Sequence, residues 1–158
     1  MAQALIDPSS EVLIHRHKLC PSSGERENWS DGTVHELVVV DTPYGRLGML
    51  ECWEHIHPSM RFPTQAQSES LHIGTWPYTP DFGASNASAF EGTEVNMAAA
   101  SVYATNSGAY VLVPTVGRAA AFGPDGFEMA LVGAGVSYEE NPYLIVSVNR
   151  GPGGWPSV

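Results

Sequence analysis

The chain has 158 residues, 43% of them hydrophobic, which is enough for one domain with its own core and too little for two. Seventeen acidic against seven basic side chains set the formal charge at -10. That balance repels nucleic acid and anionic membranes and leaves a small neutral or cationic molecule as the expected ligand. The chain then reads in order. Residues 2–6 are apolar and strand-like, Asp7-Pro8-Ser9-Ser10 is a turn, and residues 11–16 alternate as the second arm of a hairpin. A polar loop runs from Lys18 through Gly24 and Asn28 to Gly32, and the β-branched run 34–40 predicts a strand. Thr42-Pro43-Tyr44-Gly45 turns into a short apolar strand, residues 47–50, and Cys52 sits where that strand should end.

A helix is expected from Pro58, limited or kinked by Pro63. Residues 71–76 predict a strand, 78–88 a loop, and 90–105 a helix with Val95, Ala98, Ala99, Val102 and Tyr103 on one face and a stop at Ser107-Gly108. Residues 109–113 predict a buried strand, and 119–122 and 127–131 a hairpin about Gly123-Pro124-Asp125-Gly126. Residues 143–148 read as the last strand, and 151–158 as a mobile Gly/Pro-rich tail. Strands separated by helical stretches point to an α/β fold. No apolar run reaches the length of a bilayer span and no signal-peptide pattern opens the chain, so a cytoplasmic protein with free thiols is expected.

The chemistry centres on Cys52. A thiol at a strand-to-helix corner meets backbone N–H groups and a helix N-terminus, which should lower its pKa and supply donors to an oxyanion. The bland alternative is a small buried apolar side chain. A reactive thiol also needs a cation, and Lys18, in the loop after the hairpin, can stabilise a thiolate if it is buried; a surface lysine is the alternative. Glu25, Glu51 and Glu54 are candidate bases, with Glu25 reaching the same pocket if its loop folds over, and Glu51 expected on the face opposite to Cys52. Trp53, Trp76, Tyr78 and Tyr103 can line an aromatic pocket or fill the core. His15-x-His17-x-x-Cys20 mirrors Cys52-x-x-His55-x-His57, a pattern that would ligate zinc if the two segments met. The adopted reading assigns no metal and no cofactor. A Cys52–His55 dyad is the other nucleophilic arrangement, though neighbours so near in sequence seldom form an in-line pair.

Several stretches carry a resemblance. They are Ala4-Leu5-Ile6-Asp7-Pro8; His15-Arg16-His17-Lys18-Leu19-Cys20-Pro21-Ser22 with Glu25-Arg26; Asp41-Thr42-Pro43-Tyr44-Gly45-Arg46-Leu47-Gly48; Cys52-Trp53-Glu54-His55 with Pro58; Leu71-His72-Ile73-Gly74-Thr75-Trp76-Pro77; and Phe122-Gly123-Pro124-Asp125-Gly126. In this order the chain resembles the nitrilase branch of the carbon–nitrogen hydrolase superfamily. The resemblance implies an α-β-β-α sandwich and a Cys-Glu-Lys site. Cys52 matches the nucleophile, Lys18 the lysine that stabilises the tetrahedral species, and Glu25 a supporting glutamate. Trp53, Glu54 and Trp76 are placed as substrate-side residues, with Glu54 and the backbone after Cys52 helping to hold the oxyanion.

The implied reaction turns a small-molecule nitrile into a carboxylic acid and ammonia through a thioimidate and an acyl-enzyme, in a homo-oligomer without nucleic acid or membrane. The resemblance also implies a general-base glutamate on an upstream segment that this chain does not contain. Val116-Gly117-Arg118-Ala119-Ala120 stands where a glycine-rich stretch is expected, and Pro63 interrupts a helix that forms a subunit interface in relatives. The chain is therefore expected to be the C-terminal portion of such an enzyme, an incomplete domain over residues 1–149 with a flexible tail at 150–158, turning over little by itself. A cyanide hydratase or amidase, a catalytically silent fragment acting by association, and a zinc module remain as alternatives.

Overall fold

In the computed structural model, which describes residues 1–81, 88–133, 139 and 143–149, the chain opens with a hairpin of its own. Strands β1 (Ala2–Ile6) and β2 (Val12–His17) pair antiparallel as a two-stranded sheet. The Asp7 carboxylate closes their turn by accepting from the N–H groups of Ser9 at 2.8 Å and Glu11 at 2.9 Å. The remaining strands are β3 (Val40–Thr42), β4 (Gly45–Glu51), β5 (Leu71–Thr75), β6 (Tyr110–Thr115), β7 (Arg118–Phe122) and β8 (Glu128–Val132). They form one six-stranded sheet in chain order. β4, β5 and β6 run parallel because their connections pass through helices α1 (Pro58–Gln65) and α2 (Thr93–Ser107), whereas the outer pairs are antiparallel hairpins.

Alternation along the strands sorts the core into two layers. Leu50, Trp76, Val111, Val113, Ala120 and Phe122 pack against Ala100, Tyr103 and Ala104 of α2. Leu47 and Met49 point the other way, against Ile14 of the hairpin, with Leu5, Leu71 and Ile73 beside them. Helices thus cover one face of the sheet and the β1–β2 hairpin sits on the opposite one. The end of β2 and the residues just after it, 16–19, are carried to the end of β4, where Cys52 lies.

Three expectations change. The run 34–40 is not one strand: Val34–Glu36 is a single 3-10 turn and only Val40–Thr42 joins the sheet. Its valines sit at a sheet margin, Val34 and Val38 are exposed, and Leu37 alone is driven into the core. On α2 the buried face is Thr93, Asn96, Ala100, Tyr103, Ala104 and Ser107, while Val95 and Val102 face outward. Polar Asn96 is drawn inward because its side-chain oxygen accepts from the Trp76 indole at 2.9 Å. Pro63 lies within α1 without ending it, and Gly108, at φ 66°, stops α2 as expected. Residues 143–149 form no strand. The tail at 150–158 and most of the loop at 78–88 lie outside the described residues.

One buried ion pair joins the hairpin to the sheet. Arg16 and Glu54 are each 1% exposed and meet at 2.6 Å. Arg16→Met should leave the Glu54 charge buried and unpaired and cost about 3–5 kcal/mol, read as a lower urea midpoint. A midpoint unchanged from the parent would mean that the pair does not hold the hairpin.

Candidate active site

At Cys52 the backbone leaves the extended path of β4 and adopts φ 54°, a left-handed conformation that costs a non-glycine residue about 1–2 kcal/mol. Neighbouring hydrogen bonds hold it there. The Glu54 carboxylate accepts from the N–H of Glu51 at 2.7 Å, and His55 Nδ1 lies 2.8 Å from the carbonyl of Cys52. The N–H of Ile56 closes the Cys52–His55 turn on the Trp53 carbonyl at 2.9 Å. Cys52 is 8% exposed, and burial pushes the thiol pKa up; the Lys18 charge and the Trp53 N–H oppose the rise, and Glu25 and Glu51 add to it. The expected net lowering by a helix N-terminus does not occur. Only one short 3-10 turn follows the thiol, and its effect is smaller than the desolvation.

Lys18 is 1% exposed, so the surface reading is replaced by a buried ammonium. It donates to Glu25 at 2.6 Å, and the same Glu25 oxygen accepts from the Ser22 N–H at 2.6 Å. The loop closes tightly behind it. A Cβ at Gly32 would stand 2.7 Å and 2.9 Å from the carbonyl oxygens of His17 and Lys18. The field of Lys18 reaches both Cys52 and Glu51. Lys18 and Glu25 thus pair directly, and the charges of both act on the Cys52 thiol. The charge of Glu51 acts on the thiol as well. Burial pushes the Glu51 carboxyl up, and its Oε2 has no hydrogen-bond partner.

The other expected residues separate by environment. Both oxygens of Glu54 are occupied: by Arg16 at 2.9 and 2.6 Å, by the Leu19 N–H at 2.7 Å and by the Glu51 N–H. That makes Glu54 a brace for the turn rather than a group free to meet a ligand. Trp76 is 4% exposed and stacked on His55 at 4.2 Å, part of the core beneath α2. Trp53 is half-buried with its ring edge-on to Phe90 at 5.0 Å. His15 and His17 stand exposed with their rings edge-to-face at 5.3 Å, Cys20 is a free thiol, and His57 is exposed. His55 is spent on the Cys52 carbonyl rather than the sulfur, and among the described residues no group of three or more His, Cys, Asp or Glu is arranged to hold a metal ion. An apolar groove of about 810 Å³, lined by Ile73, Leu112, Ala119, Val132 and Tyr143, includes none of these side chains.

Arg16, Glu69 and His72 have no role in the sequence reading. Arg16 was hidden inside a hairpin arm, where an arginine reads as surface. The Glu69-x-x-His72 spacing was the available signal, since it places an acid three residues before a histidine at the start of a strand.

Comparison with known proteins gives a concordant picture. The family described as carbon–nitrogen hydrolase matches residues 1–151. A nitrilase from Talaromyces marneffei is 44% identical over 78 residues, covering 49% of this chain and 24% of its own length. A nitrilase from Pseudomonas syringae pv. syringae is 32% identical over 154 residues, covering 82% of this chain and 45% of its own. Among solved structures, an amidase from Nesterenkonia sp. AN1 with acrylamide added at its active-site cysteine superimposes with a TM-score of 0.70 at 18% identity. That match covers 83% of this chain and 52% of the amidase, and at such identity it establishes the shared fold. The chain spans about half or less of the length of each of these proteins. The expectation of a C-terminal portion is accordingly withdrawn in favour of the coarser statement that the chain is a part of the family domain. No helix among the described residues is long and apolar enough to cross a membrane.

The site implies a pH effect. Burial, and secondarily His72, hold the His55 ring well below its ordinary value near 6.5, so it stays neutral in the fold. Below about 6.5 the unfolded chain takes up that proton and the folded chain does not, so stability falls as pH falls. Thermal melts at about pH 7.5 and 5.5 should show this loss, and a smaller one in His55→Asn. Equal losses in both proteins would contradict a buried neutral ring.

Proposed function

The chain belongs to the carbon–nitrogen hydrolase family, and from that premise we propose that it is a thiol hydrolase converting a nitrile to a carboxylic acid and ammonia. The observation that supports this most is the Lys18–Glu25 pair, in which a buried ammonium is near enough for its charge to act on the Cys52 thiol across a chain separation no local turn could bridge. In this reading the Cys52 thiol gives up its proton and the sulfur attacks the nitrile carbon, while the nitrile nitrogen gains a proton to form a thioimidate. Water adds, ammonia leaves, and a thioester remains. A second water releases the acid and restores the thiol.

Each residue then has a physical task. The sulfur is poorly ionised when it is buried alone, so the Lys18 cation has to favour both the thiolate and the negative charge that develops on the substrate nitrogen. Glu25 fixes the ammonium in place. Glu51 keeps a buried oxygen open beside them, and we assign it the protons exchanged at the thiol, because Glu54 is fully engaged elsewhere. Trp53, half-buried and next to the sulfur in sequence, is the aromatic residue assigned to the substrate.

Incubation with an activated aryl nitrile should add one equivalent of mass at Cys52, with ammonia released as the adduct turns over. Cys52→Ala should abolish both signals, Lys18→Met should slow adduct formation about 10²–10³-fold, and Cys20→Ser should leave it unchanged. Amide in place of acid and ammonia would move the reading to a hydratase, and turnover of amides alone would move it to an amidase. No adduct at Cys52 would leave association with another chain as the function.

A further inference from the structure

Beneath the thiol lies a line of buried polar side chains that the reaction does not use directly. His55 Nδ1 meets the Cys52 carbonyl at 2.8 Å, His55 Nε2 meets His72 Nε2 at 3.0 Å, and His72 Nδ1 meets Glu69 at 2.7 Å. The Tyr103 hydroxyl donates to the other Glu69 oxygen and contacts Thr64 at 2.8 Å. Thr64, His55, His72 and Tyr103 are each 0% exposed and Glu69 4%. Interior positions of this kind hold polar groups only when every one is satisfied.

The backbone is cut away to make room for the line. Gly48 on β4 faces His72 on β5, and a Cβ there would run into the Glu69 carboxylate. Gly74, two residues along β5 from His72, leaves space for His55, whose Nε2 would stand 2.8 Å from an added Cβ. Neither glycine has a positive φ, so the requirement is steric.

Hydrogen-bond logic fixes the direction of the line. A carbonyl oxygen only accepts, so Nδ1 of His55 must carry a proton. The ring is neutral in this buried setting, so its Nε2 accepts. His72 must therefore donate from Nε2, and one proton is held between His72 Nδ1 and Glu69. We propose that His55 is a positioning residue for the nucleophile, locked in its Nδ1–H form by His72 and Glu69 so that it holds the Cys52 carbonyl. The carbonyl of Cys52 and the N–H of Trp53 belong to one trans peptide plane and point in opposite directions. Holding the carbonyl toward His55 aims the Trp53 N–H at the sulfur, where that donor favours the thiolate. The line thus acts on the thiol through a single peptide plane. The hydrogen-bond order stands by itself, and only its value to catalysis rests on the thiol reading above.

The test needs no turnover. In ¹⁵N-histidine-labelled protein, His55 should show a protonated Nδ1 and an unprotonated Nε2 from about pH 6 to 8. An Nε2–H form or a charged ring would overturn the proposal, whatever the variants do. In a Cys20→Ser background, alkylation of Cys52 by iodoacetamide is then followed against pH. Lys18, Glu25 and Glu51 face the thiol and are unchanged throughout. Folded His55→Phe and His72→Phe should both shift the profile upward and slow alkylation near neutral pH about tenfold, as expected for losing a hydrogen bond to a charged group. His72→Gln, which can still donate to His55, should recover most of the rate. An unchanged profile in folded His55→Phe would overturn the proposal, as would a failure of His72→Gln to rescue. A shifted profile in a protein that forms no nitrile adduct would leave this inference standing and remove the nitrile reaction.

Discussion

The structure depends on the meeting of Arg16 and Glu54. Both are almost wholly withdrawn from water, and neither would be tolerated there alone. Glu54 also accepts from the N–H groups of Leu19 and Glu51, while Arg16 donates to Gln3 at 2.6 Å. Gln3 in turn donates to the Leu50 carbonyl at 3.0 Å. A single carboxylate therefore ties together both arms of the hairpin, the start of the lysine loop and the end of β4. If it is removed, Lys18 loses the scaffold that carries it toward the sulfur.

Around that anchor the site places its charges so that they oppose one another. Burial raises the thiol, the ammonium of Lys18 resists, and two carboxylates add to the rise. A thiol in this balance stays protonated by default; in the proposed reaction, its ionisation would be favoured by a substrate that displaces water and presents an atom able to take up negative charge. The left-handed turn at Cys52 ends β4 there, and the thiol packs into the core cluster that holds Leu50 and Trp76.

Much of this was readable in the sequence wherever local chemistry decides structure. The first hairpin, the strand before Cys52, the stop at Gly108 and the Gly123–Gly126 turn all follow from turn residues and apolar runs. The grouping of Cys52, Lys18 and Glu25 came instead from the family resemblance, since local chemistry left each with an ordinary alternative. What stayed hidden was set by tertiary contact. Val34 to Val40 has the composition of a strand, but most of it lacks a partner strand. Periodicity placed Val95 and Val102 inside, whereas the core took Asn96 because Trp76 needed an acceptor. The tilt of the thiol pKa depended on the extent of burial, which composition does not reveal.

The hairpin and α2 lie far apart in the chain's order, yet both reach the segment that follows Cys52. Arg16 finds Glu54 across 38 positions, and Tyr103 finds Thr64 across 39. During synthesis the first hairpin must therefore wait, carrying an unmatched guanidinium, until the middle of the chain emerges, and the floor beneath the sulfur is finished only when α2 arrives. The surroundings of Cys52 are thus completed late, from parts made early.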